Sequence, residues 1–169
     1  YIKFIDTSEE NPLVIGPEGR IAQTDEIPDI DDEGEMIGYN AQDLVGTYTN
    51  GIDHGLGNLI TDSMRFEMDS DFAVTNGGGI GSSLLAGPIT TSSLEKILTH
   101  GNTLVKMEVT GAELEDILNA QLSENGSDYS VSGFQYRYNK AANKVISITL
   151  PNGKKVKKND TYTLQPIAI

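Results

Sequence analysis

The run Asn76-Gly77-Gly78-Gly79-Ile80-Gly81 is the part of this sequence best placed to hold a ligand, because it ends the short apolar segment Asp71-Phe72-Ala73-Val74-Thr75. A buried strand that stops at consecutive glycines offers an amide side chain and bare backbone to a flat ligand at close range. It is not a dinucleotide fingerprint. Starting that pattern at Gly77 puts Ser82 at the third required glycine, and starting it at Gly79 puts Leu84 there. No Gly-Lys-Ser/Thr follows, so cradling of phosphates by a P-loop is also excluded. On these residues alone, a purely structural turn accounts for the run equally well.

Other chemistry has less support. His54 and His100 are far apart and in no His-Glu-x-x-His pattern, so His54 reads as an ordinary loop histidine. The stretch Asp29-Ile30-Asp31-Asp32-Glu33-Gly34-Glu35 begins like a calcium loop, but Asn40 stands where a bidentate glutamate is needed. A solvated acidic linker explains it better. No serine lies in a Gly-x-Ser-x-Gly elbow, and the many carboxylates single out no acid/base pair. The absence of cysteine removes disulfides, thiolate metal sites and thiol nucleophiles, without choosing a compartment.

A formal charge of -13 repels phosphate backbones and anionic lipid, so the sequence predicts neither a nucleic-acid partner nor a membrane-surface role. The basic cluster Lys154, Lys155, Lys157 and Lys158 follows Pro151-Asn152-Gly153 and reads as a solvated hairpin. No stretch approaches the roughly 20 apolar residues that span a bilayer. The start at Tyr1, without an initiator methionine or a signal peptide, suggests a fragment or a processed product.

The elements that must position the glycine run follow from periodicity. At 169 residues with 37% hydrophobic content, one domain is expected. Residues 1–34 suggest an edge strand or two (Tyr1 to Ile5, Leu13 to Ile15) and an acidic linker broken by Pro28, hence an N-terminal extension or interdomain linker at the periphery. Leu56, Leu59, Ile60 and Met64 predict a helix over Gly57 to Glu67. Ser92-Ser93-Leu94-Glu95 has capping-box spacing and predicts a short helix through Leu98. Thr110-Gly111-Ala112-Glu113 repeats that spacing before the stripe Leu114, Ile117, Leu118 and Leu122. Strands are expected at Thr103 to Val109, Tyr129 to Tyr138, Lys144 to Leu150 and Thr161 to Ile169. The fold class is therefore α+β, with a mixed, largely antiparallel sheet and packed helices. Leu56, Leu59, Val74, Leu94, Leu104, Leu114, Ile117, Leu118, Ile146 and Ile148 are the expected core.

Taken in order, several segments add up to a resemblance. Gly55-Leu56-Gly57-Asn58-Leu59-Ile60-Thr61-Asp62-Ser63-Met64 is followed by Asp71 to Ile80, Ala86-Gly87-Pro88-Ile89-Thr90, and His100-Gly101-Asn102-Thr103-Leu104-Val105. Val109 to Leu114, Val131-Ser132-Gly133 and the span Asn152 to Thr163 continue the series. Over roughly Gly34 to Leu164 the chain resembles the C-terminal domain of the 5'-nucleotidase family, with 35–169 as that domain.

The resemblance implies a secreted, periplasmic or cell-surface enzyme in which an N-terminal metallophosphoesterase domain in cis holds two divalent metal ions. Two cations there would polarise the phosphate and activate water. No cofactor is expected in this chain, which would grip the nucleoside or nucleotide through Asn76, Gly77, Gly78, Gly79 and a stacking ring. His100 stands where the family has the phenylalanine of Pro-Phe-Gly. Gly81 stands where it usually has arginine, and Asn50 lies near a second common arginine position. A further stacking aromatic would follow the strand at Thr161 to Leu164, and the sequence stops at Ile169. The chain alone is expected to be inactive. The alternative is a degenerate, non-catalytic binding or surface-interaction module of the same fold.

Overall fold

The computed structural model describes residues 34–46, 54–123 and 125–168, with backbone alone for 13–15, 21–23 and 167–168. In chain order the elements are β1 (Leu13–Ile15), β2 (Ile21–Gln23), β3 (Met36–Asn40), α1 (Gly55–Glu67), β4 (Phe72–Asn76), a 3-10 turn (Gly77–Gly79), β5 (Gly87–Thr90), α2 (Thr91–Ile97), β6 (Thr103–Leu104), β7 (Met107–Thr110), α3 (Gly111–Ala120), β8 (Tyr129–Ser132), β9 (Gln135–Asn139), β10 (Lys144–Thr149) and β11 (Thr161–Ala168). The strand expected at Tyr1 to Ile5 and the acidic linker before residue 34 lie outside the described residues.

The chain divides into two compact units, Tyr1–Thr47 with Gly81–Thr99, and Tyr48–Ile80 with His100–Ile169. In the first, β1 pairs with β2 and β3 pairs with β5, both antiparallel. α2 follows β5 directly, because Thr90 ends the strand and caps the helix. Its side chain accepts from the Ser93 amide while Ser93 reaches back to the Thr90 amide. The capping box is therefore two residues earlier than Ser92-Ser93-Leu94-Glu95 predicted, and Leu98 is the cap that ends the helix. With only Ile97 of this short helix fully buried, Leu94 is exposed and leaves the expected core.

The second unit is built on a mixed sheet with the order β6-β11-β4-β8, and β7 also pairs with β11. β11 runs parallel to β4, and the other pairings are antiparallel. The strand expected from Thr103 to Val109 is split in two. Its interruption lies opposite Gln165 and Pro166, and proline has no amide hydrogen to give to the ladder. Leu104 beside this break is exposed. The strand expected from Tyr129 to Tyr138 is also split, at Gly133 (φ +85°), where a Cβ would collide with the Asp71 carbonyl.

Side chains of this sheet alternate between two faces. Phe72, Val74 and Leu164 enter an apolar core with Val109, Leu114, Leu118, Phe134, Val145 and Ile148. Ile117 packs half-buried against it. α3 supplies its part because Thr110 and Glu113 form the expected capping box. Ile146 does not join the core: a bulge between Val145 and Ser147 breaks the alternation and turns it outward, 64% exposed. α1 covers the opposite face with Leu56, Ile60 and Met64 one turn apart, while Leu59 is half-buried.

Candidate functional site

β4 delivers Asn76. Phe72 to Thr75 are all buried, so the strand is held in place on both faces. Its start is clamped to β11: the Asp71 amide donates to Thr163 Oγ1 (2.8 Å), and the Thr163 amide and hydroxyl donate to Asp71 Oδ2 (2.8 and 2.9 Å). At the other end Asn76 keeps extended backbone (φ -88°, ψ 151°), and the next residues tighten into the 3-10 turn. The turn is anchored by Gly77 N–H to the Asp128 carbonyl (3.0 Å) and closed by Ile80 N–H to the Gly77 carbonyl (3.1 Å).

The Asn76 side chain makes no capping hydrogen bond to this turn. Its amide instead lies over the glycines. A Cβ on Gly78 would come within 3.3 Å of Asn76 Nδ2, and one on Gly79 within 3.6 Å of Oδ1. The bare backbone therefore makes room for the amide. Asn76 and Gly79 are partly exposed and Gly78 fully so, which leaves a donor, an acceptor and open backbone facing outward at one strand end. Asp128, whose carbonyl holds Gly77, sits half-buried, and burial pushes its carboxyl above the usual carboxylate range.

The structure thus gathers Asn76, Gly77, Gly78 and Gly79 into one turn. His100 lies just before β6, exposed, and no hydrogen bond or ring contact among the described residues ties it to Asn76. Gly81 is exposed, but its Cβ direction is obstructed: its amide donates to the Ile97 carbonyl (2.8 Å), and a Cβ there would fall 2.8 Å from the Lys96 carbonyl oxygen and 2.9 Å from Thr99 Cγ2.

His54 is not the ordinary loop residue that its sequence surroundings suggested. It is buried and caps α1, its Nδ1 accepting from the Gly57 amide at 3.0 Å. The usable signal was position, since His54 directly precedes the helical run, but histidine is not a preferred cap residue. Asp128 gave no signal, because its role there depends on its main-chain carbonyl. Of the basic cluster, Lys157 pairs with Asp160 and Lys158 with Glu115. Among the described residues no group of three or more His, Cys, Asp or Glu is placed to hold a metal ion, and no helix is long and apolar enough to cross a membrane.

The family described as 5'-nucleotidase, C-terminal domain, matches residues 33–166. The endonuclease YhcR of Bacillus subtilis is 45% identical over 131 residues, 77% of this chain and 11% of its own length. A cell wall protein of Listeria monocytogenes is 33% identical over 152 residues, 76% of this chain and 19% of its own. The chain therefore spans less than a fifth of these relatives. The solved structure of a 5'-nucleotidase precursor from Thermus thermophilus superimposes with a TM-score of 0.66 at 32% identity, covering 75% of this chain and 28% of that one. With the glycine turn at the end of β4 and the α+β architecture both in place, the chain belongs to the 5'-nucleotidase C-terminal domain family.

Proposed function

We propose that this domain recognises the nucleoside part of a nucleotide for a metal-dependent 5'-nucleotidase-type phosphohydrolase active outside the cytoplasm. The two divalent metals and the phosphate chemistry would belong to a metallophosphoesterase domain elsewhere in the same polypeptide. The observation that carries this reading is the Asn76 amide, which makes no capping bond and rests on glycines that keep the approach open. An amide can donate to one edge atom of a base or ribose and accept from another. His100, exposed on its turn, offers a flat ring for stacking.

A second reading, a non-catalytic module that kept the fold, is favoured by Gly81. At Gly81, where the family resemblance implies arginine, this backbone packs too closely against Lys96 and Thr99 to admit a side chain without movement. Each missing charge-assisted contact removes about 1.5–3 kcal/mol, so losing two weakens binding on the order of a hundredfold or more.

Adenosine and AMP titrated into the isotope-labelled chain separate the readings. Millimolar binding that shifts the amides of Asn76 to Gly79 and disappears in Asn76→Ala is the expected result. No response from that turn at saturating ligand would leave the non-catalytic module. A phosphate-release assay with added divalent metal should show no turnover by this chain, and metal-dependent release would overturn the assignment of catalysis to another domain.

A further inference from the structure

β8 is the outermost strand of its sheet, and a groove of about 560 Å³ runs along it. That volume is within the range of about 300–1,000 Å³ usual for small-molecule sites. Asn58 and Asp62 of α1 line the groove, as do Gln135, Tyr136 and Tyr138 of β9. The lining residues include no lysine or arginine, and Asp62 is a carboxylate. With no lysine or arginine among its lining residues, the groove offers a phosphate no charged partner, and a neutral ligand fits it better.

Its aromatic side is a platform. The rings of Tyr136 and Tyr138 lie side by side, with centroids 6.1 Å apart and planes inclined by 33°, and the core residue Phe134 backs Tyr136 at 6.2 Å. A flat base clamped from both sides would need facing rings instead. The tyrosines are also held in place beforehand. The Ser127 amide donates to the Tyr138 hydroxyl (3.4 Å), and the Ser127 hydroxyl bonds to the Tyr136 hydroxyl and to Gln121 Oε1. Rings fixed in this way lose little side-chain entropy when a ligand arrives.

The helix side supplies a fixed acceptor. Ser132 donates to Asp62 Oδ1, and Arg65 Nε donates to the same Ser132 hydroxyl at 3.0 Å. Asp62 Oδ2 is left without a hydrogen bond among the described residues, on an exposed side chain. The ligand that matches has a C–H face to lie on tyrosine rings, hydroxyls to donate to a carboxylate, and no charge. We propose that the β8 groove binds a neutral saccharide, its ring face on Tyr136 and Tyr138 and its hydroxyls on Asp62 and Gln135. The site is independent of the Asn76 turn, which does not line the groove.

Maltotriose, triacetylchitotriose and AMP should be titrated separately into the isotope-labelled chain, each to about 20 mM, a range that captures millimolar affinity. At least one saccharide should shift the amides of Gln135, Tyr136 and Tyr138, and AMP should leave them unmoved. Asp62→Asn and Tyr138→Ala should each weaken saccharide binding by about fivefold or more. Gln135→Ala changes an exposed residue and keeps the test valid should Tyr138→Ala misfold, with an expected loss of about twofold. Shifts from neither saccharide, unchanged affinity in folded Asp62→Asn, or groove shifts caused by AMP would each overturn the proposal.

Discussion

The two faces of the β8-β4-β11 sheet are built on opposite principles. On the face toward α3, Phe72, Val74 and Leu164 are nearly all hydrocarbon, and Phe72 meets Phe134 edge-on and Tyr162 at a tilt, each at 5.0 Å. On the face toward α1, the alternating residues are Ala73, Thr75, Ser130, Ser132 and Gln165, all buried. Among the described residues, Thr75 Oγ1, Ser130 Oγ and Gln165 Oε1 have no hydrogen-bond partner. A buried polar atom without a partner costs free energy, so these atoms offset part of what the burial of Leu56, Ile60 and Met64 contributes on this face. Small residues bring α1 close to the sheet, and with it Asn58 and Asp62 on one side of the β8 groove. The difference suggests that one face holds the unit together and the other sets the position of ligand-facing groups.

Truncating the apolar face should have the largest effect. Phe72→Ala removes a ring only 1% exposed, and is expected to lower unfolding free energy by about 3–5 kcal/mol in a denaturant melt. A loss under about 1 kcal/mol would mean that Phe72 is not central to the core.

The polar face should respond to added volume instead. A Cβ on Gly57 would overlap Ser130 Oγ and lie 2.8 Å from Ser130 Cβ. Gly57→Ala should therefore destabilise by about 1–3 kcal/mol, although alanine is the better helix former. Adding Ser130→Gly should recover most of that loss. Stabilisation by Gly57→Ala alone would show that α1 is not seated against β8 as described.

A third substitution tests the unpaired hydroxyls directly. Thr75, 3% exposed, loses in Thr75→Val an Oγ1 that has no hydrogen-bond partner among the described residues, while its shape is kept. The expected outcome is no loss, or a gain of up to about 1 kcal/mol. A loss above that would reveal a partner for the hydroxyl, such as a bound water.

The same contrast explains what the sequence made legible. α3 was readable because Thr110, Glu113 and the Leu114, Leu118 stripe are local signals that the packing reinforces. β4 and its glycine turn were readable for the same reason. Ile146 and Leu104 were misplaced because a bulge in one strand and Pro166 in a partner strand decide their exposure, and neither follows from local alternation. In the candidate site the Asn76 run was visible as residues, but the room the glycines leave for its amide appears only in three dimensions. His54 was missed because its capping role depends on backbone geometry that an imidazole rarely serves. The platform of Tyr136 and Tyr138 was hidden inside one predicted strand that in fact breaks at Gly133.

The smallest expected effect lies at the edge of the apolar face, where α3 begins. Glu113 accepts from the Thr110 amide (2.7 Å) and from its hydroxyl (2.8 Å), while the Thr110 hydroxyl accepts from the Glu113 amide (3.2 Å). The backbone bond and then the hydroxyl bond hold the Glu113 carboxyl below its ordinary value. A carboxyl lowered in the folded state stabilises the fold above its unfolded pKa, and that contribution is lost as pH falls through the folded value. Glu113→Gln keeps a side-chain acceptor for the Thr110 amide but cannot titrate. The parent should therefore be slightly the more stable at neutral pH, and the gap should close on acidification from about pH 6 to pH 3. Thermal melts of both proteins across that range provide the measurement. A gap that stays constant or widens toward acid would show that the charged form of Glu113 is not what the α3 cap favours, and that this cap stabilises through shape and hydrogen bonding alone.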